Sequence, residues 1–183
     1  MKNTALVLID IQNDYFPGGK NELWEAEAAA ARAAQALALF REKGLPVVHV
    51  RHESQRANAT FFLPGTPGAQ IHQSVRPLEG ERVIVKHAPD GFLRTELNDT
   101  LAGLGVKRLV LCGMMSHMCV DTTVRAANAL GYEALLLGDA CTTKDLEWKG
   151  ERIPAATVHA AFMAALHGAF ATVIGAAELE AAL

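Results

Sequence analysis

The chain has 183 residues, half of them hydrophobic and a fifth charged, with a net charge of −3 and a pI near 6.2. That length supports one domain over residues 1–183 with one sizeable core, and the slightly acidic balance offers nothing to a nucleic acid or an anionic membrane. No apolar run approaches the roughly 18 residues of a membrane span, Met1-Lys2-Asn3 leads into a strand without a signal-peptide pattern, and three widely spaced cysteines make neither a disulfide framework nor a CxxC pair, so a reduced, cytoplasmic protein is expected.

Thr4–Asp10 reads as a first strand. Glu22–Lys43 follows as a long Ala-rich helix, with Gly44 placed for a left-handed C-terminal residue and Pro46 just beyond. Pro46–Arg51 is a second strand. From His52 to Glu81 no period is sustained, and a stretch of about thirty irregular residues inside a compact domain points to a lid or binding loop. Arg82–Lys86 is the next strand, then a helix over Leu93–Leu104, a strand over Arg108–Gly113 and a helix over Cys119–Leu130. Glu133–Gly138 is a strand, Thr142–Ile153 is polar and irregular, Pro154–His167 is a helix, and Phe170–Gly175 closes the series as a strand. The strands are continuously apolar, as where helices cover both faces of a parallel sheet. The order predicts an α/β fold, a three-layer α/β/α sandwich with right-handed crossovers.

Ligands of open α/β sheets bind at the C-terminal strand ends, so the residues there carry the functional reading. The first strand ends in Asp10, with Gln12 two positions on; the third ends in Lys86; the fourth ends in Gly113, and Cys119 follows where a helix opens. Taken singly, Asp10 reads as a cap, Lys86 as a solvated edge and Cys119 as a core plug. Together they place a base, a cation and a thiol at one sheet edge. A helix N-terminus favours thiolate over thiol, and the set suits nucleophilic attack on a carbonyl-type carbon. Asp10 would take the thiol proton and return it to the leaving amine, Lys86 would steady negative charge, and backbone N–H groups in the turn would form an oxyanion hole.

Phe16, Trp24, Phe61, Phe62, Phe92 and His117 are candidates to wall a substrate pocket, although each aromatic reads equally as core. Cys112 and Cys141 read as structural, and Asp139 has no catalytic role assigned. A dinucleotide enzyme is excluded by the lack of G-x-G-x-x-G after the first strand.

Asp10-Ile11-Gln12-Asn13-Asp14-Tyr15-Phe16, Val85-Lys86 and the run from Gly113 through Cys119 to Ala127 together resemble the isochorismatase-like cysteine hydrolases, a superfamily holding nicotinamidases, N-carbamoylsarcosine amidases, streptothricin-hydrolase-like lactamases and isochorismatases. The resemblance implies a six-stranded parallel sheet and an Asp10–Lys86–Cys119 triad. It also implies a cis Met114–Met115 peptide, an oxyanion hole from the Met115 and Cys119 N–H groups, and a dimer or tetramer acting on a small molecule. The metal ligands of nicotinamidases are not reproduced. His52 falls near the family aspartate and Ser54 near its histidine, while His49 and His52 face opposite sides of an extended strand, so neither a metal nor another cofactor is expected. Retention of Cys119 with both partners favours hydrolysis of an amide, lactam or N-carbamoyl C–N bond through a thioester. The alternatives are vinyl ether hydrolysis and a non-catalytic redox or binding protein.

Overall fold

The structure is a computed structural model that describes residues 3–183; Met1 and Lys2 lie outside the described residues. Its centre is a six-stranded parallel sheet built from β1 (Thr4–Ile9), β2 (Val47–His52), β3 (Arg82–Lys86), β4 (Arg108–Met114), β5 (Glu133–Thr142) and β8 (Thr172–Ile174), in the order β3-β2-β1-β4-β5-β8. All six residues of β1 are buried, and β4 is buried from Leu109 to Met114. Strands covered on both faces have no polar side to offer, which is why these segments do not alternate.

The helices are α1 (Ala26–Glu42), α2 (Leu97–Gly103), α3 (Asp121–Ala129), α4 (Ala155–Leu166) and the short α5 (Leu179–Ala182). The α1 crossing runs toward β2, while α2, α3 and α4 run the other way along the sheet, so right-handed crossovers put the two groups on opposite faces. The α1 stripe of Ala26, Ala29, Ala30, Ala33, Ala36, Leu37 and Phe40 is buried. Its spacing of three and four residues is the helical face a sheet demands, and its alanines allow close approach.

The strand order reverses between β1 and β4, so a crevice opens above their C-terminal ends. Gly113 makes that crevice possible. It has φ +135, and a Cβ there would lie 2.0 Å from the Ile9 carbonyl oxygen, so only glycine lets β4 pass the end of β1.

Several segments differ from the sequence expectation: α1 and α2 each open four residues later, β8 is shorter than Phe170–Gly175, and α5 was not expected. β5 runs on to Thr142 rather than ending at Gly138, after a register shift against β4. The stretch read as irregular contains a hairpin of β6 (Leu146–Trp148) and β7 (Glu151–Ile153), turned at Lys149 and Gly150, both with positive φ as a primed turn requires. Strands of three residues are too short to show a period. The expected helix Cys119–Leu130 starts instead with a π-helical turn over Ser116–Val120, and Cys119 sits inside that turn rather than at the first residue of α3.

Candidate active site

Asp10 leaves β1 with φ +51. Asparagine and aspartate tolerate this left-handed conformation better than most residues, and here it turns the chain away from the sheet. Lys86 is the last residue of β3. The Cys119 turn is wide: the Met115 carbonyl accepts from Met118 N–H at 3.0 Å and Val120 N–H at 3.2 Å, the residues on either side of Cys119. The Met114–Met115 peptide is cis.

These three elements bring the predicted trio together. Lys86 Nζ lies 2.6 Å from Asp10 Oδ2 and 3.2 Å from Cys119 Sγ, with both Asp10 and Lys86 fully buried. Two further acceptors approach the same ammonium, the Ala88 carbonyl at 3.1 Å and His52 Nδ1 at 3.2 Å. Asp10 Oδ1 is buried without a hydrogen-bond partner.

The electrostatics differ from the helix-dipole expectation. The Cys119 thiol is pushed up, first by burial and then by the negative charge of Asp10, with Lys86 opposing both. Burial works against the Lys86 charge, but Asp10 and Cys119 outweigh it, and Lys86 is held above its ordinary value. The resting site is therefore a neutral thiol beside an ammonium–carboxylate pair. The dipole of the turn is outweighed because burial penalises the thiolate and Asp10 already carries the negative charge.

Cys119 opens onto a cavity of about 190 Å³, also lined by Tyr15, His52, Phe61, Phe62, His87 and Met115. Arg56 and Asn58 stand on its outer loop. The Tyr15 phenol is raised well above its usual range, by burial first and then by Cys119 and Asp10, so it remains a hydroxyl donor. A larger groove of about 770 Å³ lies at the opposite end of the sheet, around Arg41, Pro46, Glu81 and Arg82, away from the thiol.

The expected pocket residues divide. Phe61 lines the cavity, and Phe62, equally a candidate, lines it too. Gln12, Phe16, Trp24, Phe92 and His117 are outside the lining of this cavity. Gln12 is fully buried and clamps the end of β2: its Nε2 donates to the carbonyls of His52 and Ala69, and its Oε1 accepts from His52 N–H, all within 2.8 Å. Phe16 stacks on His72 at 3.6 Å between ring centroids, and Phe92 stacks on Tyr132. Trp24 lies beside His159 in a separate pocket lined by α1 and β5. His117 pairs with the Thr143 hydroxyl, and burial lowers its pKa. Cys112 and Cys141 are buried in β4 and β5.

Asp14, Tyr15 and His52 were not singled out from sequence as site residues, yet all three shape the cavity. Asp14 Oδ2 accepts from Phe62 N–H at 2.7 Å and Oδ1 from Lys20 N–H at 3.3 Å, hooking the long loop over the thiol. Gly68 completes that hook, because a Cβ there would lie 2.2 Å from Asp14 Oδ1. The signal lay in the motif around Asp10, which holds Asp14 and Tyr15 four and five residues on. Nothing local marks His52. At the place where nicotinamidases carry a metal ligand, its Nδ1 is turned to the Lys86 ammonium, and among the described residues no three His, Cys, Asp or Glu side chains converge as a metal site.

Comparison with known proteins agrees with this fold. The isochorismatase domain model matches residues 4–178. The uncharacterized isochorismatase family protein YddQ of Bacillus subtilis is 55% identical over 93% of this chain and 94% of its own. A crystal structure of a putative isochorismatase hydrolase from Oleispira antarctica superposes with a TM-score of 0.95 at 54% identity, covering 98% of this chain and 97% of that one. N-carbamoylsarcosine amidase from Thermoplasma acidophilum superposes at 0.82 with 27% identity, covering 96% and 97%.

Proposed function

Since this chain belongs to the isochorismatase family of hydrolases, we propose that it cleaves a C–N bond of a small amide, lactam or N-carbamoyl compound through a thioester on Cys119. One observation carries the reading: a single ammonium, Lys86 Nζ, lies within 2.6 Å of a buried carboxylate and 3.2 Å of a thiol that opens onto a cavity. The similarity to an amidase over nearly the whole chain supports the bond type.

The steps follow from the resting charges. Asp10 takes the proton from Cys119 as the sulfur attacks the substrate carbonyl carbon, and Lys86 stays protonated beside the new charge. The N–H groups of Met115 and Cys119 are the donors assigned to the tetrahedral oxyanion. Collapse breaks the C–N bond, Asp10 returns its proton to the leaving nitrogen, and the acyl group remains on sulfur. Water then gives a proton to Asp10 and its hydroxyl to the acyl carbon, and the thiolate leaves and recovers that proton. A cavity of about 190 Å³ limits the substrate to a small molecule. Tyr15 and the Phe61–Phe62 pair supply one polar and two apolar contacts.

The test is a panel of small amides, lactams and N-carbamoyl compounds, read by release of ammonia or amine with intact-protein mass spectrometry of quenched reactions. Turnover with an acyl adduct on Cys119, and neither in Cys119→Ala, is the expected result. Turnover that survives Cys119→Ala would remove the thioester from the mechanism.

A further inference from the structure

A lysine ammonium has three N–H donors, yet four acceptors crowd the Lys86 nitrogen. Asp10 Oδ2 at 2.6 Å is held by opposite charge, and the Ala88 carbonyl at 3.1 Å is a backbone acceptor that belongs to the same loop. The third N–H has two acceptors at the same 3.2 Å, His52 Nδ1 and Cys119 Sγ. We infer that His52 is a positioning residue of the site: its Nδ1 competes with the Cys119 sulfur for the third N–H of Lys86 and withholds it until the sulfur carries charge.

Acceptor strength decides the competition. A thiol sulfur is a weak acceptor and an imidazole nitrogen lone pair a good one, so at rest the N–H goes to His52. Once the thiol proton has passed to Asp10, the sulfur is an anion, and an ammonium–thiolate bond with both partners charged outweighs the ammonium–imidazole bond, in which only the donor is charged. His52 therefore favours the thiol form at rest and yields when the nucleophile is made.

The histidine is held for this role. Gln12 bonds both its backbone N–H, at 2.7 Å, and its carbonyl, at 2.8 Å. The Phe62 ring lies 6.1 Å from its ring, and its edge reaches the cavity. The groups that face it are Lys86, Asp10, His87 and the Ala88 carbonyl, with Cys119 and Tyr15 in the same cavity wall. Burial and the Lys86 charge both hold it below its ordinary pKa, so the ring is neutral, and an ammonium facing Nδ1, which can only donate, favours the tautomer with the proton on Nε2.

The inference rests on Cys119 as the nucleophile, and iodoacetamide tests it on the full chain without any substrate. The rate of Cys119 alkylation is measured against pH, by mass spectrometry, in the wild type, His52→Leu and His52→Asn. Leucine leaves the sulfur as sole acceptor for the third N–H, so its curve should move down by about one pH unit, with roughly tenfold faster alkylation on the acid side. Asparagine restores an acceptor oxygen and should return the curve to within a few tenths of a unit of wild type. A leucine curve that stays in place or moves up overturns the inference, as does an asparagine curve matching that of leucine. Nitrogen-15 spectra of the wild-type histidines give a check that needs no variant. Resting His52 should have a bare Nδ1 and a protonated Nε2, and a protonated Nδ1 would end the idea. An absence of amide turnover would count against the hydrolase reading and leave these results standing.

Discussion

Lys86 and Asp10 form an ion pair at 2.6 Å in which neither side chain has any exposed surface. Burying two charges is costly, and the pair persists because each satisfies the other. Its members come from strands that are not neighbours, since β2 lies between β1 and β3 in the sheet. The pair thus ties the chemistry to the fold.

Removing one partner should destabilise the protein as well as silence it. Asp10→Asn or Lys86→Met alone leaves an unpaired buried charge and is expected to cost about 3–5 kcal/mol. The double variant, with no charge left to bury, should recover much of that stability and none of the activity. Urea unfolding of the three variants beside an activity assay measures both; a double variant less stable than either single one would contradict the account.

Thiol selectivity is a second expectation. Burial raises all three thiols, so access decides: Cys112 has no exposed surface and Cys141 only 4%. Cys119 alone among them lines the cavity, with 7% of its surface exposed. Limited alkylation of the native protein, mapped by peptide mass spectrometry, should label Cys119 first. Prior labelling of either other cysteine would count against the assignment.

The far end of the sheet predicts a pH effect on stability. Burial alone would push the Glu81 carboxyl up, but Arg41, the Leu78 N–H and His49 reverse this and hold it at about 2. Arg41 is bidentate, with Nε 2.7 Å from Oε1 and the Nη2 nitrogen 2.8 Å from Oε2. A carboxyl lower in the folded than the unfolded chain stabilises above its unfolded value, and that stability is lost as pH falls toward the folded one. Wild type should exceed Glu81→Gln by up to about 3 kcal/mol near neutral pH, with the gap closing between pH 4.5 and about 2. Unfolding free energies across that range give the answer; a gap independent of pH would show that the charge is not responsible.

Loop anchoring gives a fourth expectation. Asp14→Ala releases Phe62 N–H and Lys20 N–H while leaving the trio of Asp10, Lys86 and Cys119 untouched. With a substrate in hand, KM should rise roughly tenfold for the loss of a positioned loop, and kcat should fall less. A fall in kcat with KM unchanged would place Asp14 in the chemistry instead.

Much of this architecture was legible along the chain. The apolar strands and the Ala stripe of α1 follow from local periodicity, and the nucleophile motif from its residues. The β6–β7 hairpin was not legible, because strands of three residues carry no period. Nor was Gln12, whose partners His52 and Ala69 lie 40 and 57 residues away, and whose burial turns a candidate ligand contact into a clamp.

The sequence by itself determined which groups stand at the sheet edge: a carboxylate, an ammonium and a thiol, each directly after or near the end of an apolar strand. Only the tertiary structure decided their charge states and company. Burial and the Asp10 charge keep Cys119 a thiol at rest, where a helix N-terminus alone would favour the thiolate. His52 becomes a partner of Lys86 because parallel pairing sets the end of β2 beside the end of β3. Desolvation and contacts between distant residues belong to the folded surroundings, so no local stretch of sequence contains them.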